Sequence, residues 1–165
     1  MSTNEARRRA SAAARGLGLA LGVTIMATAG TARGQLSKST EEALRTSSEI
    51  YLATERKDGA MSSSKPVWFY YEGGKELFFT TSPGSWKVRR LERGSPLHVW
   101  VGGKDGPHLV GKARKVTDPA IVDRMGRAYG EKYWIAWLGF FKPRSSRVTE
   151  GKTVAYLVEL TEAKK

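Results

Sequence analysis

From Glu49 onward the chain repeatedly alternates apolar with polar positions at period two, the mark of strands. Six stretches carry it: Glu49 to Thr54, Lys65 to Tyr71, Leu77 to Thr81, Leu97 to Val101, Leu109 to Val116 and Thr153 to Leu160. All are rich in β-branched and aromatic residues, which suit a pleated, half-buried sheet. In the last, Val154, Tyr156, Val158 and Leu160 alternate with Ala155, Leu157 and Glu159. Turn chemistry separates the stretches. Arg56-Lys57-Asp58-Gly59 holds the Asp-Gly step of a tight hairpin, Glu72-Gly73-Gly74-Lys75 forms a second turn, and Gly102 to Gly106 a third. No helix opens after the third, so its glycines belong to a hairpin and not to a nucleotide loop.

Helical signals are short. Ser39 to Ser48 predicts an amphipathic helix capped by Ser39 or Thr40, with Glu41 and Glu42 in its first turn. A second opens at Trp86 with Ser85 as its cap, behind Ser82-Pro83-Gly84, where Pro83 lacks an amide donor and Gly84 tolerates positive φ. A third is capped by Thr117 or Asp118 and begins at Pro119. It carries Ile121, Val122, Met125 and Tyr129 on one face and ends at Gly130 or shortly after. Six or seven strands with short flanking helices predict a mainly β fold, a small antiparallel barrel closed on itself.

Chemistry concentrates between Leu77 and Val101, where strand, Gly/Pro/Ser loop, basic helix and strand follow one another. Lys87, Arg90 and Arg93 recur at spacings of three on neighbouring positions of one helix face. The Ser85 hydroxyl, the Lys87 ammonium and the first helical amides could converge on one anion; a solvated basic face is the alternative.

At these residues the chain resembles the FMN-binding split β-barrel family typified by pyridoxamine 5'-phosphate oxidase. There, a strand ending in an aromatic-Thr-Asn run leads to a Ser-Arg-Lys loop and a helix that closes before an Asn-Pro step. The corresponding runs are Phe79-Thr80-Thr81, Ser85-Trp86-Lys87 and Gly94-Ser95-Pro96, and the resemblance extends over roughly residues 49 to 160. It implies a split-barrel domain over residues 49–162 that binds FMN, with hydride or electron transfer to a small-molecule substrate. Thr80, Thr81, Ser85, Trp86, Lys87 and Arg90 are implied around the phosphate and ribityl chain. Pro66, Val67 and Trp68 line the flavin ring by position, although Trp68 is equally well read as core. Trp86 stands where the family carries Arg, and Thr81 where it carries Asn, so one cationic phosphate contact is missing unless Arg89 or Arg90 substitutes. Two alternatives stay open. A deazaflavin reductase would match an acidic cofactor tail to Arg89, Arg90 and Arg93, and a non-catalytic flavin- or haem-binding module would use His98 or His108 as haem ligand.

Five aromatics fall between Tyr133 and Phe141, a density suited to a subunit interface, a ligand roof or a cap over the barrel end. The resemblance adds the expectation of a homodimer. Arg144 and Arg147 beyond this stretch could serve an anionic substrate or be solvated. His98 and His108 have no second ligand at metal spacing and read as structural, so no metal is expected. Asp118 and Asp123 are explained by capping and exposure, and no nucleophile elbow occurs.

The first 29 residues form a separate unit. Arg7, Arg8, Arg9 and Arg15 precede an apolar, small-residue run from Leu17 to Ala29, ending in Ala27-Thr28-Ala29. That order is an export signal with an A-x-A cleavage site. The paired arginines resemble a twin-arginine signal, without its usual bulky apolar residue. Residues 30–48 then form linker and short helix. The expected location is periplasmic or extracellular. The apolar run is too short for a permanent membrane span. The chain's net charge of +12 falls to +9 once those 29 residues are set aside. Such charge suits a phosphorylated ligand, an anionic membrane surface or nucleic acid. Nucleic acid is disfavoured by the export signal and by the lack of a binding motif. With no cysteine, disulfides, thiolate nucleophiles and iron–sulfur clusters are excluded.

Overall fold

In a computed structural model of the chain, the described residues are 35–135 and 142–163. The expected export signal at residues 1–29 lies outside the described residues. In chain order the elements are α1 (Lys38–Thr46), β1 (Ile50–Thr54), β2 (Lys65–Val67), β3 (Phe69–Gly73), β4 (Glu76–Thr81), α2 (Trp86–Glu92), β5 (Leu97–Val101), β6 (His108–Val116), α3 (Pro119–Lys132), α4 (Ser145–Thr149) and β7 (Val154–Glu162). The seven strands form one antiparallel sheet in the order β2-β1-β5-β6-β7-β4-β3. This is the mainly β antiparallel architecture that the sequence predicts, with seven strands where six or seven are expected. No described helix is long and apolar enough to cross a membrane.

Lys65 to Tyr71 does not form the single strand expected. It divides at Trp68 into β2, which pairs with β1, and β3, which pairs with β4. These two strands occupy opposite edges of the sheet. Laid flat, seven strands would hold the edges about 29 Å apart at the usual interstrand spacing. One residue spans no more than about 7.6 Å between the Cα atoms on either side of it. The sheet therefore has to curl until its edges meet at Trp68, which produces the half-barrel.

Two tyrosines of the α3 segment satisfy the backbone at this break. The Tyr133 hydroxyl accepts from the Phe69 N–H and donates to the Phe69 carbonyl, both at 3.0 Å. The Tyr129 hydroxyl donates to the Trp68 carbonyl at 2.7 Å. The Tyr133 ring lies flat on Trp68, centroids 4.4 Å apart. Switching edges leaves these peptide groups without ladder partners, and buried polar groups have to be paired.

Inside the curl, Ile50 and Leu52 of β1, Phe79 of β4, Val99 of β5 and Val158 and Leu160 of β7 form the main core. A second cluster lies on the opposite face of β4 and β7, where Phe78, Ala155 and Leu157 pack under Val122 and Met125 of α3. Both faces of β7 are thus covered. The N-cap of α1 is Ser37, not Ser39 or Thr40. Its hydroxyl reaches the Thr40 N–H, while Thr40 donates its own hydroxyl to Glu162 at the end of β7. Asp58-Gly59 makes the predicted turn, with Gly59 at φ 78°. The short α4 was not anticipated.

Removing the Tyr133 hydroxyl leaves both polar groups of Phe69 unpaired and buried. Tyr133→Phe is therefore expected to lower unfolding free energy by about 1–3 kcal/mol, read from urea denaturation. A change below 0.5 kcal/mol, on the order of an exposed substitution, would show that the strand switch does not depend on this hydroxyl.

Candidate functional site

A cleft of about 790 Å³ opens where the strand switch faces the end of β4. Pro66, Val67 and Trp68 form one wall, and Thr80, Thr81 and Ser82 another. Tyr129 lies between them. Its hydroxyl holds the Trp68 carbonyl, and Thr80 hydrogen-bonds to it from the other wall. Burial pushes the Tyr129 phenol well above the ordinary tyrosine range, with the Thr80 hydrogen bonds acting the other way. It remains a neutral donor.

The rim is cationic. Lys142, Arg144, Arg147 and Lys152 all face the cleft. Lys152 pairs with Glu150 at 2.7 Å, and Arg147 donates through Nε to the Thr153 hydroxyl at 3.4 Å. The backbone reaches the rim by passing very close to α3. A Cβ at Gly126 would lie 2.5 Å from the Pro143 carbonyl oxygen, so only glycine permits that approach. The Ser145 N–H then donates to Asp123 at the start of α4. Asp118 caps α3 through the Ala120 N–H. Neither carboxylate lines the cleft.

The nine residues singled out from the sequence do not share one place. Pro66, Val67, Trp68, Thr80 and Thr81 line the cleft. Ser85 accepts from the Val88 N–H and caps α2. The Lys87 amine stands 5.6 Å from the centre of the Phe79 ring. Trp86 and Arg90 line a separate groove of about 280 Å³ with Arg56, Lys57, Asp58 and Arg93. Trp86 is 64% exposed, with the Arg89 guanidinium 4.9 Å from its ring centre, and Arg90 also donates to the buried Thr54 hydroxyl. The basic face of α2 is therefore divided between core and groove.

Several cleft residues were not legible as site residues. Tyr129 reads as core because it falls on the apolar face of α3, and it is indeed buried. Lys142 and Lys152 carry no local signal, since α4 brings them to the rim. Of the stretch expected at an interface, a ligand roof or a cap over the barrel end, Tyr133 packs inside, whereas Trp134 is 81% exposed. Residues 136–141, with the other aromatics of that stretch, lie outside the described residues. His98 and His108 line neither cleft nor groove; burial and the neighbouring His98 lower the affinity of His108 for a proton.

A curled seven-stranded antiparallel sheet with its cleft at the strand switch defines the split-barrel class. The chain belongs to the pyridoxamine 5'-phosphate oxidase family, whose model matches residues 36–162. No curated protein matches its sequence. Solved structures show the same fold at low identity. An F420 reductase is 21% identical over 76% of this chain and 96% of its own, with a TM-score of 0.52. An FAD and heme binding protein from Mycobacterium smegmatis is 17% identical over 80% and 73%, with a TM-score of 0.52. A NimC/NimA family protein from Clostridium acetobutylicum is 16% identical over 72% and 78%, with a TM-score of 0.51.

Desolvation lowers the pKa of Lys87 to about 8, and that of Lys132, whose amine lies over the Phe69 ring, also to about 8. Between pH 8 and the unfolded value near 10.5 these two amines bind more protons in the unfolded chain than in the folded one, so their contribution makes stability rise with pH. Above about pH 10 the trend reverses as the unfolded tyrosines ionise while Tyr129 and Tyr133 stay protonated. Urea unfolding at several pH values from 7 to 10 should show the rise, and Lys87→Met should cut its slope to about half, Lys132 supplying the rest. An equally steep rise in that variant would place the effect elsewhere.

Proposed function

We propose that the cleft binds a flavin-type cofactor, FMN in the first instance, and that the protein uses it for hydride or electron transfer with a small molecule. The observation that carries this is the meeting of the strand switch, the hydroxyls of β4 and four cations around one cavity. The donor set fits the group. The volume lies within the roughly 300–1,000 Å³ of ordinary ligand sites. Trp68 offers an aromatic wall, Thr80, Thr81 and Ser82 offer hydroxyls, and Arg144, Arg147 and Lys152 offer charge for a phosphoryl group. The family is flavin-related, and a bound flavin supplies the redox chemistry itself. The chain's part is to bind, orient and exclude water, and no acid or base side chain is required. Ser85, Trp86, Lys87 and Arg90, expected as contacts of the same cofactor, stand outside the cleft on the α2 side, with Trp86 and Arg90 in the separate groove.

A deazaflavin is the second reading, favoured by the groove. Arg56, Lys57, Arg90 and Arg93 line it with one carboxylate, Asp58, among them, an arrangement that suits an acidic cofactor tail. Haem is the least supported cofactor, since both histidines lie away from the two cavities. The reading also includes a homodimer, supported by the exposed Trp134, and an exported protein, supported by the sequence of residues 1–29.

The test is a visible spectrum of the protein from a host that makes FMN, followed by titration with FMN, deazaflavin and haem. Near-stoichiometric binding of either flavin is expected. Arg147→Ala should weaken it about tenfold or more, since one charge-assisted hydrogen bond is worth about 1.5–3 kcal/mol. A colourless protein that binds none of the three would overturn the proposal.

A further inference from the structure

The chain has two histidines and no cysteine, and the fold brings both imidazoles together. His98 is on β5 and His108 on β6, ten residues apart around a hairpin whose register pairs His98 with Val110 and Trp100 with His108. Both side chains therefore stand on one face of the sheet. His98 Nδ1 and His108 Nε2 are 3.2 Å apart. The other nitrogen of His98, Nε2, lies 3.3 Å from Glu55 Oε1. The Glu55 carboxylate can only accept, so it holds the proton on Nε2 and leaves the Nδ1 lone pair facing His108. The His108 ring is stacked on Trp100, 4.4 Å between centroids and 2° from parallel, which fixes its orientation.

We propose that this pair is a binding site for a divalent late transition-metal ion, copper(II) foremost, chelated between His98 Nδ1 and His108 Nε2. At metal–nitrogen bonds of about 2.0–2.1 Å, the observed nitrogen separation gives an angle at the metal of about 100°, between square-planar and tetrahedral values. The ion takes the place of the proton that His108 Nε2 donates to His98 in the metal-free pair; His108 gives up that proton to solvent and takes one up on Nδ1, so it coordinates as a neutral imidazole and no net proton is released. Glu55 supports the site from outside, orienting His98 as carboxylates commonly orient metal-bound imidazoles. Among the described residues no cluster of three or more His, Asp or Glu side chains could hold a metal ion, so the remaining positions belong to water. Imidazole ligands with open solvent positions rank copper(II) above zinc and the other divalent ions. The site is independent of the cleft, whose lining includes neither histidine.

Because these are the chain's only imidazoles, the full-length protein gives a direct answer. Chelated full chain at neutral pH is titrated with copper(II) sulfate and followed by electron paramagnetic resonance and tryptophan emission. One ion per chain, with superhyperfine splitting from two equatorial nitrogens, is expected, together with saturable quenching that Trp100→Phe reduces without altering the splitting. His98→Gln and His108→Gln should each weaken binding more than tenfold, and Glu55→Ala, which keeps both imidazoles, about tenfold. An oxygen-only or one-nitrogen spectrum of the unmodified protein would overturn the proposal, whatever the folding of the variants. So would binding that survives loss of both imidazoles.

Discussion

The passage of the chain through Trp68 governs the rest of the structure. A seven-stranded sheet whose opposite edges are joined by one residue cannot lie flat, so the curl follows from covalent continuity and not only from strand twist. Continuity alone would leave peptide groups at the switch without ladder partners. Tyr129 and Tyr133 supply those partners from α3, and α3 is itself seated on the sheet through Val122 and Met125. The helix is therefore coupled to the edge that it stabilises. Loosening either tyrosine would release both a wall of the cleft and the apolar layer behind it.

The same passage explains why the cleft lies where it does. Where a strand leaves one neighbour for another, side chains that would point into a continuous sheet diverge, and a cavity opens between them. Tyr129 bridges its two walls with a single buried hydroxyl held between Trp68 and Thr80. Burial keeps that hydroxyl protonated, so the bridge does not titrate in the ordinary range. The cations are arranged on the opposite principle. Those of the rim are held at the end of a close backbone approach to Gly126, where solvent and any anion can reach them. Lys87 and Lys132 lie over aromatic rings, and desolvation weakens their hold on a proton.

Strand periodicity, turn chemistry and helix caps were readable because each depends on neighbours within a few residues. Ser85 and Asp118 cap the helices expected of them. The split at Trp68 was hidden, since KPVWFYY reads as one strand and the groups that satisfy the break, Tyr129 and Tyr133, come more than sixty residues later in the chain. Ser37 was missed as a cap because Ser39 and Thr40 suit the role equally well by residue type, and Glu162 on β7, which takes the Ser37 N–H and the Thr40 hydroxyl, is distant in sequence. For the cleft, the two walls were visible as motif positions, whereas the rim was not. Lys142 and Lys152 owe their position to α4 and to the glycine contact, neither of which leaves a periodic trace. His98 and His108 show the same limit, for a ten-residue spacing carries no ligand signature until the β5–β6 register is known.

The relation between Trp86 and the rim carries the electrostatic argument one step further. An arginine at that position would have added charge to a helix that already carries Lys87, Arg89, Arg90 and Arg93. Arg89 and Arg90 instead lie against the exposed indole, and Arg90 lines the groove with Arg56, Lys57 and Arg93. Charge facing the main cleft is then supplied from the other side, by Lys142, Arg144, Arg147 and Lys152. A phosphoryl group in the cleft would be met by groups on α4 and the entry to β7, elements whose placement depends on the packing of α3. Anion binding and the integrity of the strand switch would thus be linked through one helix, since each draws on the position of Tyr129 and Gly126.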